Sequence, residues 1–228
     1  MAEGARVAAF DIDAEGLASL EAEARAFPGS LRVYQANVAR QSEVASATSR
    51  AFADFGLING LVNCAGIYRD GLLVREVEGS LVKMPLAQWQ TVIDVDLTGP
   101  FLMAREVAGH MIQKRAGAGV IINISSVSRH GNAGQSNYSA AKSGVVSLGR
   151  VWARELAQYG IRVATIAPGF IRTPILSAMA PEKLDSWIEQ VPLKRLGEPA
   201  EIFAGVRFVI ECEFFNGGCV EIDGGLII

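Results

Sequence analysis

The chain has 228 residues, half of them hydrophobic and a fifth charged, with a formal net charge of −3 and a sequence pI of about 5.5. That length fits one α/β domain, residues 1–228, with ample room for a core. The mild acidity and the lack of a basic stripe exclude a nucleic-acid or membrane-surface partner, and no apolar run approaches the ~20 residues of a membrane span.

The opening Met1-Ala2-Glu3-Gly4 carries neither a basic region nor an apolar stretch, so no signal peptide is expected. Cys64, Cys212 and Cys219 form an odd set without metal-site spacing, and read as reduced thiols of a cytoplasmic protein. His110 and His130 are too few and too far apart for a metal centre, so no metal is expected.

In chain order, Val7-Ala8-Ala9-Phe10 running into Asp11 predicts a short strand closed by a carboxylate. Asp13 is a good N-cap for a helix with Leu17, Leu20 and Ala24 on one face, ending before Pro28-Gly29. A second strand is expected from Leu31 to Gln35, leading to Asn37-Val38, and then a helix with Val44, Ala47, Ala51 and Phe55, ending at Gly56. Leu61-Val62-Asn63 reads as a third strand that breaks at the small residues Cys64-Ala65-Gly66. Strands alternating with amphipathic helices predict a parallel sheet covered on both faces, a doubly wound, three-layer α/β/α arrangement.

Residues 68–85 are polar and glycine-containing, and read as a surface hairpin or loop. The apolar spacing of 86–114 predicts one long helix bent at Pro100. Val120, Ile121, Ile122 and Ile124 predict a buried strand ending in Ser125-Ser126, followed by a loop with Gly131 and Gly134 and a helix from about Asn137. On that helix Tyr138 and Lys142 are four residues apart and share a face. An ammonium beside a phenol favours the phenolate, which suits general acid–base work, and a strand-end serine can hold a carbonyl oxygen nearby. Ile161–Ala167 is expected as another buried strand, 174–195 as an amphipathic lid-like segment and Pro199–Val209 as a helix.

Tyr-x-x-x-Lys alone is a weak signal; the ordered run of buried strand, Ser-Ser, glycine loop, Tyr-x-x-x-Lys and apolar helix is not. In this order the chain resembles the short-chain dehydrogenase/reductase family, within it the 3-oxoacyl-acyl-carrier-protein reductases. The resemblance implies a Rossmann-like fold and reversible hydride transfer between a nicotinamide cofactor and a carbonyl or secondary alcohol. It implies Ser126, Tyr138 and Lys142 as catalytic residues. Ser125 is a rival to Ser126, because the family's serine-to-tyrosine interval is usually thirteen and Ser126 gives twelve.

The resemblance also implies cofactor contacts from Asp11, Asn37, Val38, Asn63, Ala65, Gly66, Pro168, Gly169, Ile171 and Thr173, besides Tyr138 and Lys142. A carboxylate at the position of Asp11 bonds the ribose hydroxyls and repels a 2′-phosphate, which points to NAD in preference to NADP. Asp96 stands where the family carries an asparagine, which puts its family role in question. No Thr-Gly-x-x-x-Gly-x-Gly turn precedes Val7, so the chain reads as shortened at its N-terminus, without the family's first strand. That predicts either a gap in the sheet or a new strand pairing.

A small-molecule substrate and a homo-oligomer, tetramer or dimer, are implied by the same resemblance. A non-catalytic binding or scaffold relative is the alternative, because the phosphate turn is missing. A serine hydrolase is excluded: there is no Gly-x-Ser-x-Gly elbow and neither histidine is suitably placed.

Overall fold

A parallel pair comes first in the chain: β1 (Arg6–Asp11) and β2 (Ser30–Gln35) run side by side in register from Arg6 opposite Ser30 to Asp11 opposite Gln35. The computed structural model describes residues 4–27, 29–173 and 181–228, the side chains at 181 and 183 excepted. Between β1 and β2, helix α1 (Ala14–Ala24) starts at the Asp13 N-cap, whose side chain accepts the Glu15 amide at 3.0 Å. Leu17 and Ala24 turn inward as expected, while Leu20 stays exposed. Helix α2 (Gln41–Phe55) buries Val44, Ala47 and Ala51 and stops at Gly56, whose φ of 73° suits only a residue without a Cβ.

A second, four-stranded parallel sheet holds β3 (Gly60–Asn63), β6 (Gly119–Ile124), β7 (Ile161–Pro168) and β8 (Cys219–Ile222), side by side in that order. Ile121, Ile122, Val163 and Ile166 are completely shielded from solvent, as expected for parallel strands covered on both faces. One face packs against α4 (Gly99–Gln113) and α5 (Ser136–Glu155), and the other against α7 (Pro199–Glu211). Helix α6 (Pro181–Gln190) lies in the predicted lid, and residues 174–180 of that segment fall outside the described residues. Among the described residues no strand lies between β1 and β3. β1 pairs with β2 alone, and β3 pairs with β6 alone.

Residues 68–85 do contain a hairpin: β4 (Val74–Val77) and β5 (Ser80–Lys83) pair antiparallel about Glu78-Gly79, both at positive φ. The long helix expected over 86–114 runs continuously from Leu86 to Gln113, but its irregularity is not the expected bend at Pro100. Helix α3 (Leu86–Ile93) passes through a π turn at Asp94–Thr98 before α4 begins, and Pro100 sits in the first turn of α4, where its missing N–H costs nothing. The break is the π turn, in which one extra residue is accommodated per turn.

Candidate active site

The C-terminal ends of β3, β6 and β7 face one side, where a doubly wound sheet receives its ligands. β6 delivers Ser125 and Ser126 there, and the two part company immediately. Ser125 is buried, and its hydroxyl donates to the Lys142 carbonyl at 2.8 Å, tying strand to helix. Ser126 is half-buried and only accepts, from the Ser128 amide at 3.1 Å, which leaves its O–H free to donate outward. Of the two rivals, Ser125 spends its hydroxyl proton inside the fold and Ser126 does not.

Helix α5 brings Tyr138 and Lys142 together as the spacing predicts, with Lys142 Nζ 5.4 Å from the centre of the Tyr138 ring. The ammonium is buried. It donates to the Ile124 carbonyl at 3.1 Å and lies 3.2 Å from Asp96 Oδ2. Tyr68 meets the Tyr138 ring edge-on, with centroids 6.4 Å apart.

The π turn carries Asp96 into this cluster and buries it completely. Its Oδ1 accepts the Ile67 amide at 2.8 Å, while Oδ2 has the Lys142 charge and no well-directed hydrogen bond. Burial pushes the Asp96 carboxyl above the ordinary carboxylate range, against the opposing pull of Lys142 and the Ile67 amide. Gly66 explains itself here: a Cβ on it would lie 2.9 Å from Asp96 Oδ2 and 3.2 Å from Lys142 Nζ.

Asn63 is buried and donates to Asn123 Oδ1 at 2.8 Å, bracing β3 against β6. Ala65 is exposed next to it. At the end of β7, Pro168-Gly169 packs against the Asp223 turn so closely that a Cβ on Gly169 would come within 2.7 Å of the Asp223 Cα. Ile171 bridges to Gly197, and Thr173 is exposed just beyond. Asp11, exposed at the end of β1, accepts the Asp13 amide on Oδ1 at 3.0 Å and keeps Oδ2 for solvent or a ligand. Asn37 is less available than its sequence suggests, because its Oδ1 caps the Ala39 amide at 2.9 Å. Val38 packs against Gly99 at the start of α4.

Asn137 was missed from the sequence. It is buried, donates to the Arg69 and Gln88 carbonyls, and accepts the Tyr138 amide at 2.8 Å, fixing the start of the helix that carries the tyrosine. The only sequence signal for it is an amide-bearing residue in a first helical turn.

These residues fit the two ends of a nicotinamide dinucleotide: a free carboxylate oxygen at Asp11 for one ribose, and Lys142 with the Gly66 cradle for the other. The pyrophosphate turn of the family, Thr-Gly-x-x-x-Gly-x-Gly, does not occur in the sequence.

A family model described as enoyl-(acyl carrier protein) reductase matches residues 1–227. The 3-oxoacyl-[acyl-carrier-protein] reductase FabG of Thermotoga maritima is 39% identical over 99% of this chain and 89% of its own length. The 3-oxoacyl-[acyl-carrier-protein] reductase of Synechocystis is 39% identical over 91% of this chain and 80% of its own, and the short-chain reductase NovJ of Streptomyces niveus 38% over 98% and 85%. A crystal structure from Agrobacterium tumefaciens, provisionally assigned as a gluconate dehydrogenase, superposes with a TM-score of 0.87 at 32% identity, covering 99% of this chain and 89% of that one. Cluster, fold and relatives agree: the chain belongs to the short-chain dehydrogenase/reductase family and is a nicotinamide-dependent oxidoreductase acting on a carbonyl or secondary alcohol.

Proposed function

We propose that the chain reduces a 3-oxoacyl thioester or a similar ketone with NADH, using Ser126, Tyr138 and Lys142. The observation that carries this reading is the buried Lys142 ammonium 5.4 Å from the Tyr138 ring, beside the strand end that holds Ser126. When bound, the nicotinamide supplies the hydride; the protein's part is position, charge and a proton. Ser126 donates to the carbonyl oxygen and holds it. Tyr138 gives its phenolic proton to that oxygen as it becomes an alkoxide, and the Lys142 ammonium stabilises the negative charge left on the phenol oxygen. Asp96 holds Lys142 in place.

Asp11 supports NAD over NADP, since a carboxylate there repels a 2′-phosphate. Asn63, Ala65, Gly66, Pro168, Gly169, Ile171 and Thr173 are assigned to the nicotinamide end, and Asn37 and Val38 to the adenine end. The segment 174–195 is assigned as a substrate lid on a single domain, supported by Trp187 of α6 stacking on Phe170 at 4.8 Å. Exposed Phe101 and Val151 on α4 and α5 support association into a cytoplasmic dimer or tetramer. We further infer that the family's first strand and glycine turn are not represented in residues 1–228, which the gap beside β1 supports. The scaffold alternative is not favoured, because near-full-length identity is to reductases.

Titration of the purified chain with NADH and NADPH, followed by nicotinamide fluorescence, tests the reading. Saturable NADH binding, stronger than NADPH, and oxidation of NADH by an acetoacetyl thioester are expected. Tyr138→Phe should lower turnover by about 10²–10⁴ while leaving NADH binding in place. Binding of neither nucleotide would refute the reading.

A further inference from the structure

Of the two phenols beside the catalytic lysine's cluster, Tyr68 has no part in the hydride transfer described above. It follows the Ala65-Gly66 turn beyond β3, and the amide just before it, that of Ile67, donates to Asp96 Oδ1 at 2.8 Å. On its other side, the Arg69 carbonyl accepts from Asn137 Nδ2 at 3.1 Å and from Gln88 Nε2 at 2.9 Å. Further on, the Gly71 amide donates to the Gly134 carbonyl at 2.8 Å. Tyr68 is thus tied from both sides to the π turn and to the helix and loop that carry Tyr138. Its ring meets Tyr138 edge-on, the planes 80° apart, yet 41% of it stays exposed. The hydrogen bonds of both residues run through their backbones: the Tyr68 carbonyl accepts from Arg69, and the Tyr138 amide donates to Asn137. Both hydroxyls are unbonded among the described residues. Polar neighbours are already spent, the Asp70 carboxylate on Gln135 Nε2 at 3.1 and 3.3 Å.

We propose that Tyr68 is a specificity-determining residue whose hydroxyl donates to a second carbonyl of the substrate, one methylene away from the carbonyl being reduced. A 3-oxoacyl thioester carries two acceptor oxygens in that relation. With the keto oxygen on Tyr138 and Ser126, the thioester oxygen is the acceptor left over, and Tyr68 is the donor left over. Burial, then the charges of Asp70 and Tyr138, push the Tyr68 phenol above its ordinary value, so it stays protonated through the neutral range. Those neighbours oppose a phenolate, whereas Lys142 favours one at Tyr138. Tyr68 therefore hydrogen-bonds without giving up its proton. An isomer with three methylenes between its carbonyls must fold back to meet both phenols, at a cost in chain freedom. Because the Tyr68 ring is partly wet, its bond discriminates by about three- to tenfold, less than a fully buried donor would. This assignment rests on the reading of Tyr138 as the proton donor.

The experiment uses the full 228-residue chain and its Tyr68→Phe variant, which keeps the ring against Tyr138 and removes only the hydroxyl. The probes are two isomers, the 3-oxohexanoyl and 5-oxohexanoyl thioesters of N-acetylcysteamine, which differ only in the spacing of their carbonyls. Binding of each is measured by calorimetry with NAD present, so that no hydride moves, and turnover of each by oxidation of NADH. Tyr68→Phe should melt with the wild type, since the hydroxyl makes no internal bond. It should lower the preference for the 3-oxo isomer over the 5-oxo isomer by about three- to tenfold, in Kd and in kcat/KM alike. A purely structural tyrosine would move both isomers together. An unchanged preference, or no saturable binding of the 3-oxo isomer by the wild type, would overturn the proposal. NADH oxidation with an unchanged preference removes the role of Tyr68 and leaves hydride transfer standing; a shifted preference in binding with no NADH oxidation does the reverse.

Discussion

Asp96 and Lys142 form an ion pair at 3.2 Å with neither side chain open to solvent, on a π turn and the helix that also carries Tyr138. Such a pair is held by geometry more than by net energy, since both charges are removed from water. Burial raises the Asp96 carboxyl above its ordinary range, so the native state holds that proton more tightly than the unfolded chain. The resulting cost to stability is absent below the ordinary carboxylate pKa and sets in as pH rises through the raised value. Asp96→Asn removes this titration. In urea melts across that window, the variant should gain on the wild type as pH rises; a pH-independent difference would contradict the assignment.

The two serines at the end of β6 should separate by phenotype. Ser126→Ala removes the donor proposed for the carbonyl oxygen and should lower kcat/KM by about 10²–10³ with little change in melting temperature. Ser125→Ala removes a buried bond to the Lys142 carbonyl and should cost about 0.5–1.5 kcal/mol of stability. Its turnover should fall far less. Parallel assays and denaturant melts on the two variants check this.

Asp11→Ser should relax cofactor choice. Two unlike-sited negative charges about 4 Å apart repel by about 1–4 kcal/mol between bulk-water and surface-like screening. Removing one should therefore raise the NADPH-to-NADH affinity ratio by about ten- to hundredfold, read by fluorescence titration of both nucleotides.

Tyr34 provides a test in the smaller sheet. Its hydroxyl donates to Asp54 at 2.7 Å, and the phenol is pushed up to about 12, by burial first and then by the Asp54 bond and charge. A raised phenol contributes stability fully below pH ~10, and loses it as pH climbs through about 12. Tyr34→Phe should cost about 1 kcal/mol at neutral pH, and its deficit should close on the alkaline side. Melts at neutral and alkaline pH measure both.

The strands, most helices and the Tyr138–Lys142 pair were legible in the sequence because each follows a short period: apolar runs for enclosed strands, and four residues for a shared helical face. The π turn at Asp94–Thr98 was not, since no side chain encodes the extra residue and Pro100 offered a more familiar cause of a bend. That Ser125 spends its hydroxyl inside the fold and Ser126 does not was not legible either, because counting residues along a loop does not supply hydrogen-bond partners. Asn137 escaped notice because its partners, Arg69 and Gln88, are distant in the chain. Asp96 was noticed as a departure, but only the packing shows its charge balanced by Lys142.

The amide pair between Asn63 and Asn123 has a consequence for how the larger sheet assembles. The two sit directly opposite each other in the β3–β6 alignment and are buried, with Asn123 Nδ2 already lacking a partner among the described residues. Sliding β3 by one residue would send one amide to the opposite face and strand the other among apolar side chains, leaving polar groups dry and unbonded. The pair thus acts as a key against mis-threading. Only the native alignment satisfies it, and only that alignment brings Ala65-Gly66 level with Ser125-Ser126, so a correctly assembled sheet and a correctly spaced reaction centre are selected in one folding event.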